Sequence, residues 1–256
     1  MNRIEKAFSK GKAFIPFITA GDPSIEVTEQ LIIEMAKAGA DIIEIGIPFS
    51  DPSAEGPVIQ AADVRALSAG TTTDQILEMV KRIRKVCDVP LVFMTYINPV
   101  FSYGTDRFLK TCKEIGVDGI IVPDVPYEER DEIKPFCEKY GIACIPLIAP
   151  TSKDRIDLIA KEAEGFVYCV SSFGVTGVRE DLGHDFIDMI KRVKLVKDIP
   201  CAIGFGISNP DQAKTLSEVS DGVIVGSAIV KIIEEYGKDC IGPVVEYVKS
   251  MIAAIR

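Results

Sequence analysis

Glu44 stands inside an uninterrupted apolar run, Ile42-Ile43-Glu44-Ile45-Gly46. A carboxylate there is costly to ionise, so its pKa should rise, and a carboxyl titrating near neutrality can both give and take a proton. A buried Glu paired with a Lys is the alternative, but no basic residue lies near a candidate strand end, which favours acid–base work. Glu55 follows in Ile47–Gln60, a stretch that reads as a long loop stiffened by Pro48, Pro52 and Pro57. By residue type alone, a solvated carboxylate and a second catalytic group are equally good readings of Glu55. Further on, Ser171-Ser172-Phe173-Gly174-Val175-Thr176-Gly177 follows the run holding Tyr168. It is punctuated by glycine and long enough to close as a lid or to be merely flexible. Gly204-Phe205-Gly206-Ile207-Ser208 and Gly226-Ser227-Ala228-Ile229-Val230 each follow an apolar run. Their glycines either serve tight turns or let backbone N–H groups close on an anion, aided by a helix opening at Gly226. Proton transfer at one point and phosphate binding at another is the chemistry these residues suggest.

The elements that must position them alternate along the chain. Apolar, β-branched runs at Ala13–Phe17, Ile42–Gly46, Leu91–Thr95, Gly119–Val122, Ala143–Leu147, Phe166–Val170, Cys201–Gly204 and Gly222–Val225 read as strands covered on both faces. Helical patterns occupy Ile25–Ala38, Thr73–Val86, Asp106–Ile115, Glu128–Tyr140, Lys153–Glu164, Asp185–Val196, Pro210–Glu218 and Cys240–Ala254. Eight strand–helix units predict an α/β fold, a single (β/α)8 TIM barrel over residues 1–256, with an extra N-terminal helix and a short helix after strand eight. A doubly wound open sheet is the runner-up. In a barrel the site forms at the C-terminal strand ends, where all the stretches above lie. An internal echo fits repeated units: Lys37–Glu44 resembles Glu114–Ile121, with a fainter copy at Val219–Ile224.

Composition narrows the functions. With 256 residues, 47% hydrophobic and 26% charged, the chain can bury a sizeable core. A net charge of −9 argues against nucleic-acid or anionic-membrane surfaces, though not against a small phosphate held by backbone N–H groups. Neither a signal peptide nor a bilayer-length apolar run is present in the sequence, so a soluble cytoplasmic protein is expected. The seven cysteines, with irregular spacing and no CxxC, read as reduced structural thiols and leave no metal site. The single histidine, His184, reads as a loop or helix-end residue, since no GxSxG elbow accompanies it.

The run EIGIPFSDPSAEGPVIQ resembles the signature of tryptophan synthase alpha subunits. PFITAGDP at Pro16–Pro23, DVP at Asp124–Pro126, FGVTG at Phe173–Gly177, GFGIS at Gly204–Ser208 and GSAIVK at Gly226–Lys231 follow in family order, so the resemblance covers essentially the whole chain. It implies cleavage of indole-3-glycerol phosphate to indole and glyceraldehyde 3-phosphate, with no cofactor in this subunit. It also implies a beta subunit that holds pyridoxal phosphate and receives the indole, in an assembly of two alpha and two beta chains. By this resemblance Glu44 is the general acid/base, Tyr168 an active-site tyrosine, and Thr176 the lid threonine that closes on the second carboxylate. Gly177, Gly206, Gly226 and Ser227 fall at phosphate-binding positions, and Phe17 at an apolar contact to indole. Asp51, Pro52 and Asp124 fall on the face that meets the beta subunit. One residue departs from the pattern: the second carboxylate, usually Asp, is Glu55, one methylene longer. Two further readings stay open, a lyase that works without a partner and, kept alive by that departure, a silent subunit that docks on and activates one.

Overall fold

A computed structural model describes residues 1–152, 154–170, 180–204 and 206–256, with side chains left aside at 180–185. Nine strand segments run in parallel: β1 Ala13–Thr19, β2 Ile43–Gly46, β3 Leu91–Met94, β4 Gly119–Ile121, β5 Ala143–Cys144, β6 Leu147–Ile148, β7 Val167–Cys169, β8 Cys201–Gly204 and β9 Gly222–Val225. Their order is β5-β4-β3-β2-β1-β9-β8-β7-β6. Since β5 and β6 are consecutive pieces of one segment, the sheet closes on itself as an eight-position barrel, and the open doubly wound sheet is excluded. The expected single strand Ala143–Leu147 is therefore two. Pro146 has no N–H to donate to a ladder. Around it, Ile145 N–H donates to Ile120 O at 2.9 Å and Tyr168 N–H donates to Pro146 O at 3.0 Å, so the chain passes from one neighbour to the other.

The helices are α1 Arg3–Phe8, α2 Ile25–Ala38, α3 Pro57–Ser68, α4 Thr73–Ile83, α5 Ile97–Tyr103, α6 Thr105–Ile115, α7 Lys134–Tyr140, α8 Ile156–Glu162, α9 Glu180–Val196, α10 Pro210–Val219, α11 Ser227–Tyr236 and α12 Ile241–Ile255. Several of them correct the sequence reading. Pro57 does not stiffen a loop; it opens α3 as a first-turn residue behind Gly56, where a missing N–H costs nothing. Likewise Pro99 is tolerated in the first turn of α5. The expected helix Glu128–Tyr140 is a 3-10 turn, Tyr127–Glu132, followed by α7 with Pro135 in its first turn. His184 lies within α9 rather than in a loop. Among the described residues no helix is long and apolar enough to cross a membrane.

Strand pleating sends alternate residues to two apolar layers. Ile15, Ile42, Val92, Ile121, Phe166 and Ile224 fill the barrel, and Ile4 and Ala7 of α1 close its lower end. Phe14, Ile43, Phe93, Val167, Ile203 and Val223 face the helices instead. Burial on both faces is why these strands read as unbroken apolar runs.

The internal echo marks a repeated lock at the strand starts. Asp41 N–H donates to Phe14 O (3.0 Å) while its carboxylate accepts from Phe14 N–H (2.9 Å). Asp118 does the same with Leu91, both bonds 2.9 Å, and Asp221 with Cys201, both 2.8 Å. Each carboxylate also meets a cation: Arg256 at Asp41, Arg84 and Arg3 at Asp118, Lys194 at Asp221. Gly39 and Gly116 precede two of these locks as left-handed caps (φ 104° and 85°), the conformation that ends a helix most cheaply in glycine. With the lower ends fixed in this way, the upper ends are held where a site can form.

Candidate active site

Pleating turns Glu44 of β2 into the barrel, between Ile43 and Ile45, which point outward. It is 1% exposed, and among the described residues neither carboxylate oxygen has a hydrogen-bond partner. Burial, and secondarily the charge of Glu55, pushes its pKa up to about 8. No described Lys neutralises it. In the strand register Glu44 lies beside Phe17 of β1. A Cβ on Gly46 would stand 2.7 Å from the Phe17 ring, and one on Gly226 3.2 Å from it. Both glycines therefore make room for this ring, an apolar wall next to the carboxyl group.

Glu55 sits on the segment from β2 to α3 and is held by three contacts. The Tyr96 hydroxyl donates to its carboxylate, Ala54 N–H donates to that same hydroxyl at 2.7 Å, and the Gln60 amide donates to Glu55 O at 2.8 Å. Tyr96 is itself buried, its ring centroid 5.3 Å from that of Phe49. Burial raises the Glu55 pKa; the Tyr96 hydroxyl and nearby backbone N–H groups oppose the rise, and the charge of Asp124 adds to it. Behind this loop Asp63 is buried on α3. Burial, then Glu55, then Asp22 raise its pKa to about 7, against a hydrogen bond from Phe49 N–H. Arg65, one half-turn on, grips Asp22 through two bonds of 2.9 and 2.8 Å and reaches Glu234 of α11 at 2.9 Å. The site thus collects carboxyls in a low-dielectric setting, the environment in which proton affinities rise.

Tyr168 of β7 faces the same space. Burial and the charges of Glu44 and Glu55 raise its pKa well above the ordinary value, which places all three groups within electrostatic reach. Its hydroxyl packs over Gly204 of β8, where a Cβ would stand 2.5 Å away. Beyond β8, Gly206 takes a left-handed conformation (φ +67°), and no described residue lies within 4 Å of where its side chain would be. Beyond β9, Gly226 and exposed Ser227 open α11, with no side-chain cap among the described residues, and the first turn of a helix leaves N–H groups without intrahelical partners. Thr176 and Gly177, with the rest of the expected lid, lie outside the described residues. Asp51 and Pro52 lie on the loop after β2, Asp51 exposed and bonded to the Ser50 hydroxyl. Exposed Asp124, on the loop after β4, accepts from Ile97 N–H at 3.0 Å.

The structure therefore brings Glu44, Glu55, Phe17 and Tyr168 to one end of the barrel, with the two glycine turns on the β8–β9 side. Sequence reasoning missed Tyr96 and Asp63. Tyr96 follows directly on the expected third strand, a strand-end position that was itself a usable signal. Asp63 was hidden because its helix was read as loop.

This arrangement can be set against known proteins. A family model described as tryptophan synthase alpha chain matches residues 4–253. A tryptophan synthase alpha chain of Thermoanaerobacter sp. (strain X514) is 50% identical over 262 residues, spanning 100% of this chain and 99% of its own. The solved alpha chain of Legionella pneumophila subsp. pneumophila superposes with a TM-score of 0.90 at 38% identity, covering 100% of this chain and 97% of that one. A chain of the tryptophan synthase a2b2 complex of Pyrococcus furiosus gives 0.88 at 37% identity, covering 95% and 98%. Likeness of this extent takes in the whole barrel, with the strand that carries Glu44 and the loop that carries Glu55, and so the chain belongs to the tryptophan synthase alpha chain family.

Proposed function

We propose that this chain is a carbon–carbon lyase of tryptophan biosynthesis that cleaves indole-3-glycerol phosphate by a retro-aldol reaction, in the cytoplasm, and passes the indole to a beta chain. The observation that carries the reading is the buried carboxyl of Glu44, which has no hydrogen-bond partner among the described residues. With a pKa near 8 it holds its proton at neutral pH and can give it to indole C3. Protonation there puts positive charge on the ring nitrogen, and the carboxylate of Glu55, steadied by Tyr96, stabilises that charge. Glu44, now ionised in an apolar setting, takes the proton of the neighbouring glycerol hydroxyl as the carbon–carbon bond breaks and the aldehyde forms. The proton given to C3 stays on the indole, and the one taken from the hydroxyl restores Glu44 to its protonated form, so one residue serves both steps.

Phe17 supplies an apolar face for the indole, and Tyr168 borders the reacting region. Gly206, Gly226 and Ser227, with Gly177, grip the phosphate, the N-terminus of α11 adding its dipole. Binding energy from that remote group holds the reacting bond in place. Thr176 closes the lid on Glu55. Asp51, Pro52 and Asp124 form the face toward the beta chain, which holds pyridoxal phosphate, in an assembly of two alpha and two beta chains. The a2b2 architecture of the Pyrococcus furiosus relative supports that arrangement.

The test is indole release from the purified chain, alone and with a beta chain added. Glu44→Gln should lower kcat on the order of 10³-fold, within the range for a lost general acid/base, while its circular dichroism stays that of the wild type. Indole release from Glu44→Gln at the wild-type rate would remove the assignment, and a folded wild-type chain silent in both conditions would remove the reaction.

A further inference from the structure

Glu55 and the glycine turn that opens α11 stand on different elements, and a molecule spanning both needs the two held at one separation. Glu55 directly precedes Gly56, the N-cap of α3, and Gly226 is the N-cap of α11. The two helices pack on each other and on β1. On the inner side of that contact Phe17 of β1, Ile59 and Ala62 of α3 and Val230 of α11 form one buried apolar cluster. Apolar contact holds such elements together, but it has no direction and fixes their sliding and tilt only loosely.

Arg65 supplies the direction. It stands three residues after Ala62, and Glu234 stands four after Val230, so both continue the helix faces that meet in the cluster. Its Nε and one terminal nitrogen donate to the two carboxylate oxygens of Asp22 at 2.9 and 2.8 Å, and the other terminal nitrogen donates to Glu234 at 2.9 Å. Asp22, on the turn after β1, is 1% exposed, whereas Glu234 is 53% exposed. One planar guanidinium thus joins the β1 turn, α3 and α11, and its rigid fork sets the angle as well as the length of each bond. The aspartate locks at Asp41, Asp118 and Asp221 hold the strand starts; this one lies past a strand end, on the side of the site.

We infer that Arg65 is a positioning residue that sets the separation between Glu55 and the phosphate-binding start of α11. The inference rests on the lyase reading, because that reaction needs a charge-stabilising carboxylate at one end of a substrate anchored at the other. Arg65 acts through α3 and α11, not by contact with the substrate. The phosphate grip and the apolar wall at Phe17 hold the bound substrate, whereas Glu55 meets a charge that develops only as the bond breaks. An error in the spacing therefore lowers kcat and leaves KM in place.

The experiment is steady-state indole release by the full chain with a beta chain present. Arg65→Lys keeps the charge, but one ammonium cannot hold both Asp22 oxygens and Glu234 together. Its kcat should fall about tenfold, with KM unchanged, where a 1 Å misplacement can cost about a hundredfold. Glu234→Ala removes only the exposed arm. Exposed ion pairs add little stability, so its urea midpoint should match the wild type while kcat falls about threefold at constant KM. This variant decides the matter by itself if Arg65→Lys fails to fold. Since Glu234 acts through Arg65, the double variant should be no slower than Arg65→Lys. Wild-type kcat in either single variant, a loss that appears in KM alone, or losses that multiply in the double variant would overturn the inference. A folded wild type that releases no indole would instead remove the lyase reading, and this inference with it.

Discussion

At the scale of single residues, the site depends on carboxyl groups whose proton affinity is set by what surrounds them. Glu44 and Glu55 are chemically alike, but one is sealed with no partner among the described residues and the other is braced by Tyr96. That difference fits the division of roles proposed above, with Glu44 keeping its proton at neutral pH and Glu55 more readily ionised. Tyr96→Phe removes the hydroxyl that holds down the Glu55 pKa. The Glu55 pKa should then rise further, and on the proposed role of its carboxylate the acidic limb of the pH–kcat profile should move upward. The loss of kcat should be larger at acidic pH than at alkaline pH. A limb that stays in place would show that Glu55 does not need to be ionised. The longer Glu55 side chain is accommodated by the same contact, since its carboxylate reaches Tyr96.

At the scale of elements, the aspartates that start the strands have a stability consequence. Asp118 accepts from Leu91 N–H and from Arg84, whose side chain is only 9% exposed. Asp118→Ala leaves that guanidinium buried without its carboxylate and should cost about 3 kcal/mol in urea denaturation. Asp221→Ala, whose Lys194 partner is 34% exposed, should cost about 1 kcal/mol. Equal losses at the two positions would contradict the dependence on burial. The echo that contains these aspartates was visible in the sequence as a repeat, but its bonds join residues as far apart as Asp41 and Phe14 and appear only once the barrel closes. Strands were legible because two-sided burial leaves unbroken apolar runs. The helices α3 and α5 were not, because Pro57 and Pro99 look like breakers unless their first-turn positions are known. Pro146 posed the opposite problem: its apolar neighbours masked a break in the ladder. In the site, Glu44 was legible as a charge in an apolar strand, whereas Asp63 needed its helix and Tyr96 needed the fold of the loop that reaches it.

At the scale of the whole molecule, the barrel carries a group that opposes its own stability. Glu44 titrates near 8 when folded and near 4.5 in an unfolded chain. Below pH 4.5 both states hold the proton and the group is neutral to folding. Between 4.5 and 8 the unfolded chain releases it and the folded chain does not, so stability falls as pH rises; above 8 the loss levels off. Glu44→Gln lacks this term. Its stability advantage over the wild type should be small at pH 4.5 and grow to the order of 3 kcal/mol by pH 8 to 9, as read from denaturant midpoints. The same property makes proton transfer possible in the folded barrel, and it can be observed at the group itself. Carboxyl carbon NMR of glutamate-labelled protein, with the resonance assigned through Glu44→Gln, follows the titration directly. A midpoint near pH 8 is the predicted result; a midpoint near 4.5, the value of an ordinary solvated glutamate, would contradict the account at its centre.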